Sequence, residues 1–319
     1  MKRRSLMKAA ALVAAMGMGT AAFAQDAEKK IIGVSIPSAT HGFMGGLNWH
    51  AQDTIKRLGE TYPNLEFVLS TAGDPSKQVN DIEDMMATRN IDALVVLPFE
   101  SEPLTAPVKA VKDAGKFVTV VDRGLSQEGI EDLYVAGDNT AFGRVAGEYF
   151  RENLEPGSKV VVLRGIPTTL DNERVEAFQK ALEGSEVEIL DMQHGNWNRD
   201  DAFAVMQDYL SKYPQINAVW AADDDMAIGV LEAISAANRN DEMWVIGGAG
   251  MKEIVKRIMD GDKQLPVNVT YPPALISSAI EMTALNFVSN APMTGRFIIS
   301  SQLITPENAE QYYYPDSPF

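Results

Sequence analysis

Phe117-Val118-Thr119-Val120-Val121-Asp122-Arg123 is a run of strand formers that ends abruptly in a carboxylate and a guanidinium. The run does not alternate between apolar and polar residues, so a strand made from it is buried on both faces, as in a parallel sheet covered by helices. The same form recurs at 31–36, 65–70, 93–97, 133–136, 159–163, 187–190, 218–221, 244–247 and 267–269, and once more at 297–300. Amphipathic stretches lie between, among them 43–58, 78–88, 142–153, 173–182, 228–237 and 274–288. Alternating β and α units of this kind specify a doubly wound α/β fold. So many strands exceed what one compact sheet usually holds, and Gly137-Asp138 is the turn where a second set begins. The late strands and the helix at 274–288 are the returning segments that two lobes joined by several crossings would need.

The first 24 residues have another character. Lys2, Arg3, Arg4 and Lys8 form a basic head, 9–19 is a short apolar run, and Ala22-Phe23-Ala24 offers the small residues a signal peptidase reads. A cleavable export signal is therefore expected over 1–24, with a mature chain starting near Gln25. No later stretch reaches the roughly 18 uninterrupted apolar residues of a membrane helix, so no membrane insertion is expected. The sequence has no cysteine, hence no lipid-anchor thiol and no disulfide framework. These features point to a freely diffusing protein of the Gram-negative periplasm. Without the basic head, 24 Lys and Arg face 44 Asp and Glu, a net charge near −20. Such a surface repels nucleic acid and anionic membranes. The tail at 312–319, with two prolines, reads as loose.

Ligands of open parallel sheets sit beyond the carboxyl ends of the strands. The residues found there are polar or aromatic: 37–43 after the first strand, Asp122-Arg123 after the fourth, Arg164 and then 168–172, Gly195-Asn196-Trp197-Asn198, Asp223-Asp224-Asp225, Gly248-Ala249-Gly250 and Thr270-Tyr271. Carboxylate, guanidinium, amide and flat aromatic groups together suit a neutral polyhydroxylated ligand, whose hydroxyls need donors and acceptors and whose C–H face needs a ring. Each residue also has a plainer reading. Asp122-Arg123 serves equally as an ion pair, Trp197 and Phe43 as core, and His41 as an ordinary loop residue. Glu173 and Arg174 read as structural, Asp224 as the cap of the following helix, and Met85, Met86, Met206 and Met226 as packing.

Enzymatic signatures are poor. No G-x-S-x-G elbow, P-loop or G-x-G-x-x-G follows a strand, and His41, His50 and His194 stand apart from any metal-ligand spacing. Neither catalysis, nor a metal, nor a cofactor is expected.

Taken in order, Val121-Asp122-Arg123, Ala136-Gly137-Asp138-Asn139 with Gly143 and Gly147, Asn172-Glu173-Arg174 with Phe178, and the stretch 222–229 resemble the periplasmic sugar-binding proteins of the ribose-binding type, whose fold is shared with LacI-type repressors. The resemblance spans about 31–301. It implies a type I periplasmic binding protein: two doubly wound parallel-sheet lobes joined by a three-strand hinge, here 25–137 with 271–299 and 138–270 with 300–319. It also implies closure on a sugar and delivery to an ABC transporter permease, with a chemoreceptor as a further compatible partner. By position, Phe43 and Met44 occupy sites that are aromatic in ribose binders and His41 a site that is an amide. Asp122 and Arg123 match directly. Asn172 falls where an arginine stands, Trp197 where a stacking phenylalanine does, Asp223 at an asparagine, Thr270 at a glutamine, and Ala249 at an aspartate that contacts the sugar. Tyr271 completes the expected set. The scaffold matches better than the pocket, so the expected ligand is another pentose, a branched sugar or a sugar alcohol, bound by a monomer. A secreted carbohydrate-active enzyme is the alternative. A LacI-type regulator would need a DNA-binding element before Ile31, where the export signal lies.

Overall fold

The computed structural model describes residues 29–39, 41–289 and 293–319; the expected export signal lies outside them. In chain order the elements are β1 (Lys30–Pro37), α1 (Gly42–Thr61), β2 (Leu65–Ala72), α2 (Pro75–Asp84), β3 (Ala93–Val96), α3 (Ser101–Asp113), β4 (Phe117–Val121) and β5 (Leu133–Gly137). Then come α4 (Asn139–Asn153), β6 (Lys159–Arg164), α5 (Thr169–Leu182), β7 (Glu188–His194), α6 (Arg199–Lys212), β8 (Ala218–Ala221), α7 (Asp224–Ala236), β9 (Trp244–Ile246) and α8 (Lys252–Met259). Next are β10 (Asn268–Val269), α9 (Leu275–Val288), β11 (Gly295–Ile299) and β12 (Leu303–Ile304), and a short 3-10 helix at Ala309–Tyr312 follows.

Two parallel sheets result. The first has the order β11-β5-β4-β3-β1-β2 and the second β7-β6-β8-β9, while β10 and β12 pair antiparallel between them. The uninterrupted apolar strands are buried as their composition requires: Ile32, Val34 and Ile36 of β1 and Val160, Val161 and Val162 of β6 have no exposed surface. Helix α9 returns to pack on α1, so the first sheet is completed by residues that follow the second in sequence. The chain thus crosses between sheets after β5, after β10 and after β11. Strand order reverses at β1 in the first sheet and at β6 in the second, and such switch points open the crevices in which ligands sit.

The tail differs from its expected looseness. Lys252 Nζ donates to the carbonyls of Pro315 (3.2 Å) and Ser317 (2.6 Å). Phe319 is buried edge-on against Phe43, with ring centroids 6.0 Å apart. Prolines stiffen this tail, and an aromatic anchor fixes its end.

Candidate functional site

A narrow cavity lies where the carboxyl ends of the two sheets face each other. The first lobe supplies His41, Phe43 and Met44 from the start of α1 and Asp122 and Arg123 from the end of β4. Tyr271 enters from the crossing after β10; Leu170, Arg174, Trp197, Asp223, Gly248 and Ala249 come from the second lobe. Its volume is about 40 Å³, room for about three waters. Beyond Arg123 and Trp197 it continues into a cleft of about 680 Å³ between the 99–128 region and the 166–170 loop.

Asp122 sits at φ +59°, in the left-handed region that Asp tolerates better than most residues. Two tyrosines hold it: Tyr134 donates to its carbonyl (2.6 Å) and Tyr271 to its carboxylate Oδ1 (2.5 Å). Burial, reinforced by the Asp122 charge, pushes the Tyr271 phenol well above its usual range and Tyr134 up to about 12, so both remain donors at neutral pH. Oδ1 is therefore engaged by Tyr271. Arg123 is steadied by donating to the Phe99 carbonyl (2.6 Å).

Arg174 forms the opposite wall. Its guanidinium lies 4.1 Å from the Phe142 ring centre and 4.4 Å from that of Tyr271, and donates to Asn139 Oδ1 (2.9 Å) and the Ala222 carbonyl (3.1 Å). Both ring faces attract the cation through their quadrupoles. Gly137 makes this possible, since a Cβ there would stand 2.2 Å from the Tyr271 ring.

The three adjacent aspartates do three separate things. Asp223 caps α7 by accepting from Met226 N (3.0 Å), and burial followed by the Asp225 and Asp224 charges pushes its carboxyl well above the ordinary range. Asp224 was expected as the cap. Instead, as the first helical residue, it turns inward and ties the 248–251 loop to β10, accepting from Gly248 N (2.8 Å), Gly250 N (2.9 Å), Met251 N (2.6 Å) and Asn268 Nδ2 (2.9 Å). Asp225 accepts from Gly42 N of the other lobe (2.9 Å).

His41 Nδ1 and Trp197 Nε1 are buried without a hydrogen-bond partner among the described residues. Burial lowers the His41 pKa, with the nearby Arg123 charge acting the same way and Asp225 and Asp122 opposing, so the ring is neutral near pH 7. Asp122, Trp197 (φ +52°) and Ala249 (φ +116°) all line the cavity in backbone conformations that cost a non-glycine residue energy.

Of the expected site residues, His41, Phe43, Met44, Asp122, Arg123, Trp197, Asp223 and Tyr271 line the cavity; Asn172 and Thr270 do not. Asn172 lies on the solvent face of the first turn of α5 and accepts from Arg164 Nη2 (2.6 Å). Two residues on, the opposite face of the same helix presents Arg174 to the cavity. Thr270 is fastened into the crossing, its amide donating to the Gln302 carbonyl (2.9 Å) and its hydroxyl accepting from Gln302 N (3.0 Å). It borders a separate cavity of about 190 Å³ on the far side of Ala249. Arg174 and Leu170 were missed as wall residues; Phe178 and Gly143 near Arg174 in the resemblance were the available signal.

No helix among the described residues is long and apolar enough to cross a membrane. The family model "Periplasmic binding protein domain" matches residues 32–288. The chain is 30% identical over 258 residues to the Salmonella typhimurium ribose import binding protein, covering 81% of this chain and 85% of that one. It is 27% identical over 304 residues to the Escherichia coli ribose import binding protein, covering 95% and 100%. The crystal structure of an ABC transporter solute-binding protein from Mycobacterium smegmatis with bound glycerol superposes with a TM-score of 0.79 at 28% identity, over 91% of this chain and 98% of that one. The chain belongs to the periplasmic binding protein family, as a solute-binding protein of an ABC importer and not an enzyme.

Proposed function

We propose that this protein binds a small neutral carbohydrate, either a pentose, a branched sugar or a sugar alcohol, between two closing lobes and hands it to the permease of its importer. The observation that carries this is the cavity itself: both sheets contribute to a wall of two carboxyl groups, two guanidiniums and three aromatic rings, with two buried polar atoms, His41 Nδ1 and Trp197 Nε1, that have no hydrogen-bond partner among the described residues. Hydroxyls take up mixed donors and acceptors of this kind, and the rings cover carbon. Asp122 Oδ2 accepts a ligand hydroxyl, Arg123 and Arg174 donate, and Phe43, Trp197 and Tyr271 enclose the ligand; His41, Met44 and Asp223 complete the contact set. Ribose and glycerol, named with the relatives above, belong to this ligand class.

The lobes are taken as 25–137 with 271–299 and 138–270 with 300–319. Residues of both lobes enclose the ligand, so the lobes separate for entry and close once contacts from both sides favour the closed form. The permease, and a chemoreceptor where one is served, reads that closed form. Export through a signal at 1–24 places the monomer in the Gram-negative periplasm. A thermal-shift screen of residues 25–319 against pentoses, hexoses and polyols tests the reading, because a ligand of the folded state raises its stability. Small-angle scattering with the best ligand is expected to show a smaller radius of gyration; no thermal shift with any member of the panel would overturn the proposal.

A further inference from the structure

Helix α1 begins badly for a helix of 20 residues. Its N-cap is His41, whose side chain makes no capping hydrogen bond, and its first turn holds no acidic residue. Five helices, α2, α4, α5, α6 and α7, are capped by Asp74, Asp138, Thr168, Asn198 and Asp223 of their own sequence, while α3, α8 and α9 share with α1 the lack of a side-chain cap. The first amide N–H groups of a helix have no internal partner, and they sit at the positive end of the helix dipole. In α1 the missing acceptor arrives from the other lobe, where Asp225 Oδ2 lies 2.9 Å from Gly42 N. Arg199, on the same lobe as Asp225, stands 3.6 Å from Oδ1 and keeps the carboxylate facing the cleft. Position 42 fits this contact tightly, since a Cβ there would be 2.6 Å from Asp225 Oδ2 and 3.0 Å from the methyl of Met251.

We propose that Asp225 is a closure latch: it caps α1 across the cleft when the lobes meet, leaves that helix uncapped when they part, and so sets the closed-to-open ratio without touching ligand. Neither Asp225 nor Gly42 lines the ligand cavity. The latch rests on the proposed closing motion, but not on the identity of the ligand. Affinity follows from it, because a ligand held only by the closed form binds in proportion to how often that form is populated. The adjacent aspartates cannot stand in, since Asp223 is spent on its own helix and Asp224 on the 248–251 loop.

The chain lacks cysteine, so two introduced ones are labelled cleanly: Lys109→Cys on α3 and Lys180→Cys on α5, both exposed. Pulsed dipolar spectroscopy then gives the inter-lobe distance distribution without ligand and along a titration with D-ribose. Loss of a cap is expected to lower the closed-to-open ratio roughly tenfold in Asp225→Ala. Asp225→Asn keeps a capping oxygen and is expected to stay within about threefold of wild type. Gly42→Ala, which displaces the carboxylate from the opposite side, is expected to match Asp225→Ala, and the double variant to be no worse than either single one. A wild-type distribution in Asp225→Ala at every ribose concentration, or full additivity of the two substitutions, overturns the latch. Absence of sugar binding in the thermal screen would strike the ligand assignment alone, because the distances are measured without ligand as well.

Discussion

Replacing Asp122 by Asn and by Ala separates its two duties. A carboxylate offers about four acceptor positions; Tyr271 takes one on Oδ1, and the residue lines the cavity. Asn retains an oxygen for Tyr271 and tolerates φ +59°, so the fold keeps its contacts. It turns the other acceptor into an N–H donor, and a hydrogen bond to a charged group, about 1.5 to 3 kcal/mol, is lost to the ligand. That corresponds to roughly 10- to 150-fold weaker binding. Ala removes both functions. The Tyr271 hydroxyl, on a side chain only 3% exposed, is left unpartnered, costing about 1 to 3 kcal/mol. Left-handed backbone at a Cβ-bearing residue without a polar side chain adds about 1 kcal/mol. Urea unfolding without ligand should therefore show Asn within about 1 kcal/mol of wild type and Ala about 2 to 4 kcal/mol below it. Isothermal titration with the strongest ligand of the thermal screen should show both variants weakened. Wild-type affinity in Asp122→Asn would make the residue a structural brace and refute its place in the site.

Ribose should bind more weakly than a slimmer pentose, branched sugar or polyol, because Ala249 offers a methyl where ribose binders offer an acceptor and an unmet hydroxyl loses about 1 to 3 kcal/mol; parallel titrations of ribose, xylitol and erythritol decide it, and ribose emerging tightest would sink the idea. Burial holds the Asp224 carboxyl at about 6 against a usual 3.8, so its contribution to folding is complete below about pH 4 and is lost as pH rises through 6, on the order of 3 kcal/mol. Unfolding free energies from pH 4 to 7 should fall in the wild type and run flatter in Asp224→Asn. Gly143→Ala would set a Cβ 1.8 Å from the Arg174 carbonyl oxygen; prising α4 from α5 should cost at least about 1 to 3 kcal/mol in urea melts, and an unchanged midpoint would contradict that packing.

What the sequence discloses follows from how local each feature is. The strands at 117–121 and 218–221 stand at the bounds their apolar runs suggest, since burial on two faces leaves an unbroken signature. Asp122, Arg123 and Trp197 were found because strand ends point at the crevice. Arg174 was not, since its role depends on two rings brought from α4 and from the last third of the chain, over a glycine at 137. Asn172 and Thr270 were placed by positional equivalence, which ignores a helix face and a hinge hydrogen bond. The cap of α7 was misplaced by one residue because three identical acids give no local reason to prefer one. In α3, Pro107 removes one donor from the hydrogen-bond ladder of the helix.

The threading of the first sheet has a kinetic consequence. Its edge strand β11 and the covering helix α9 come after the whole of the second sheet in sequence, whereas β6 to β9 are drawn from one continuous stretch. Loop closure over more than a hundred residues must precede the pairing of β11 with β5, and contacts of such separation slow folding. The contiguous lobe can bury its core first and act as a template on which the other is finished. A chain emerging end-first from a membrane pore would hold its amino-terminal strands incompletely covered until the final helix appeared. During that interval the flank of β5 that β11 later covers is an edge open to pairing with a neighbouring chain.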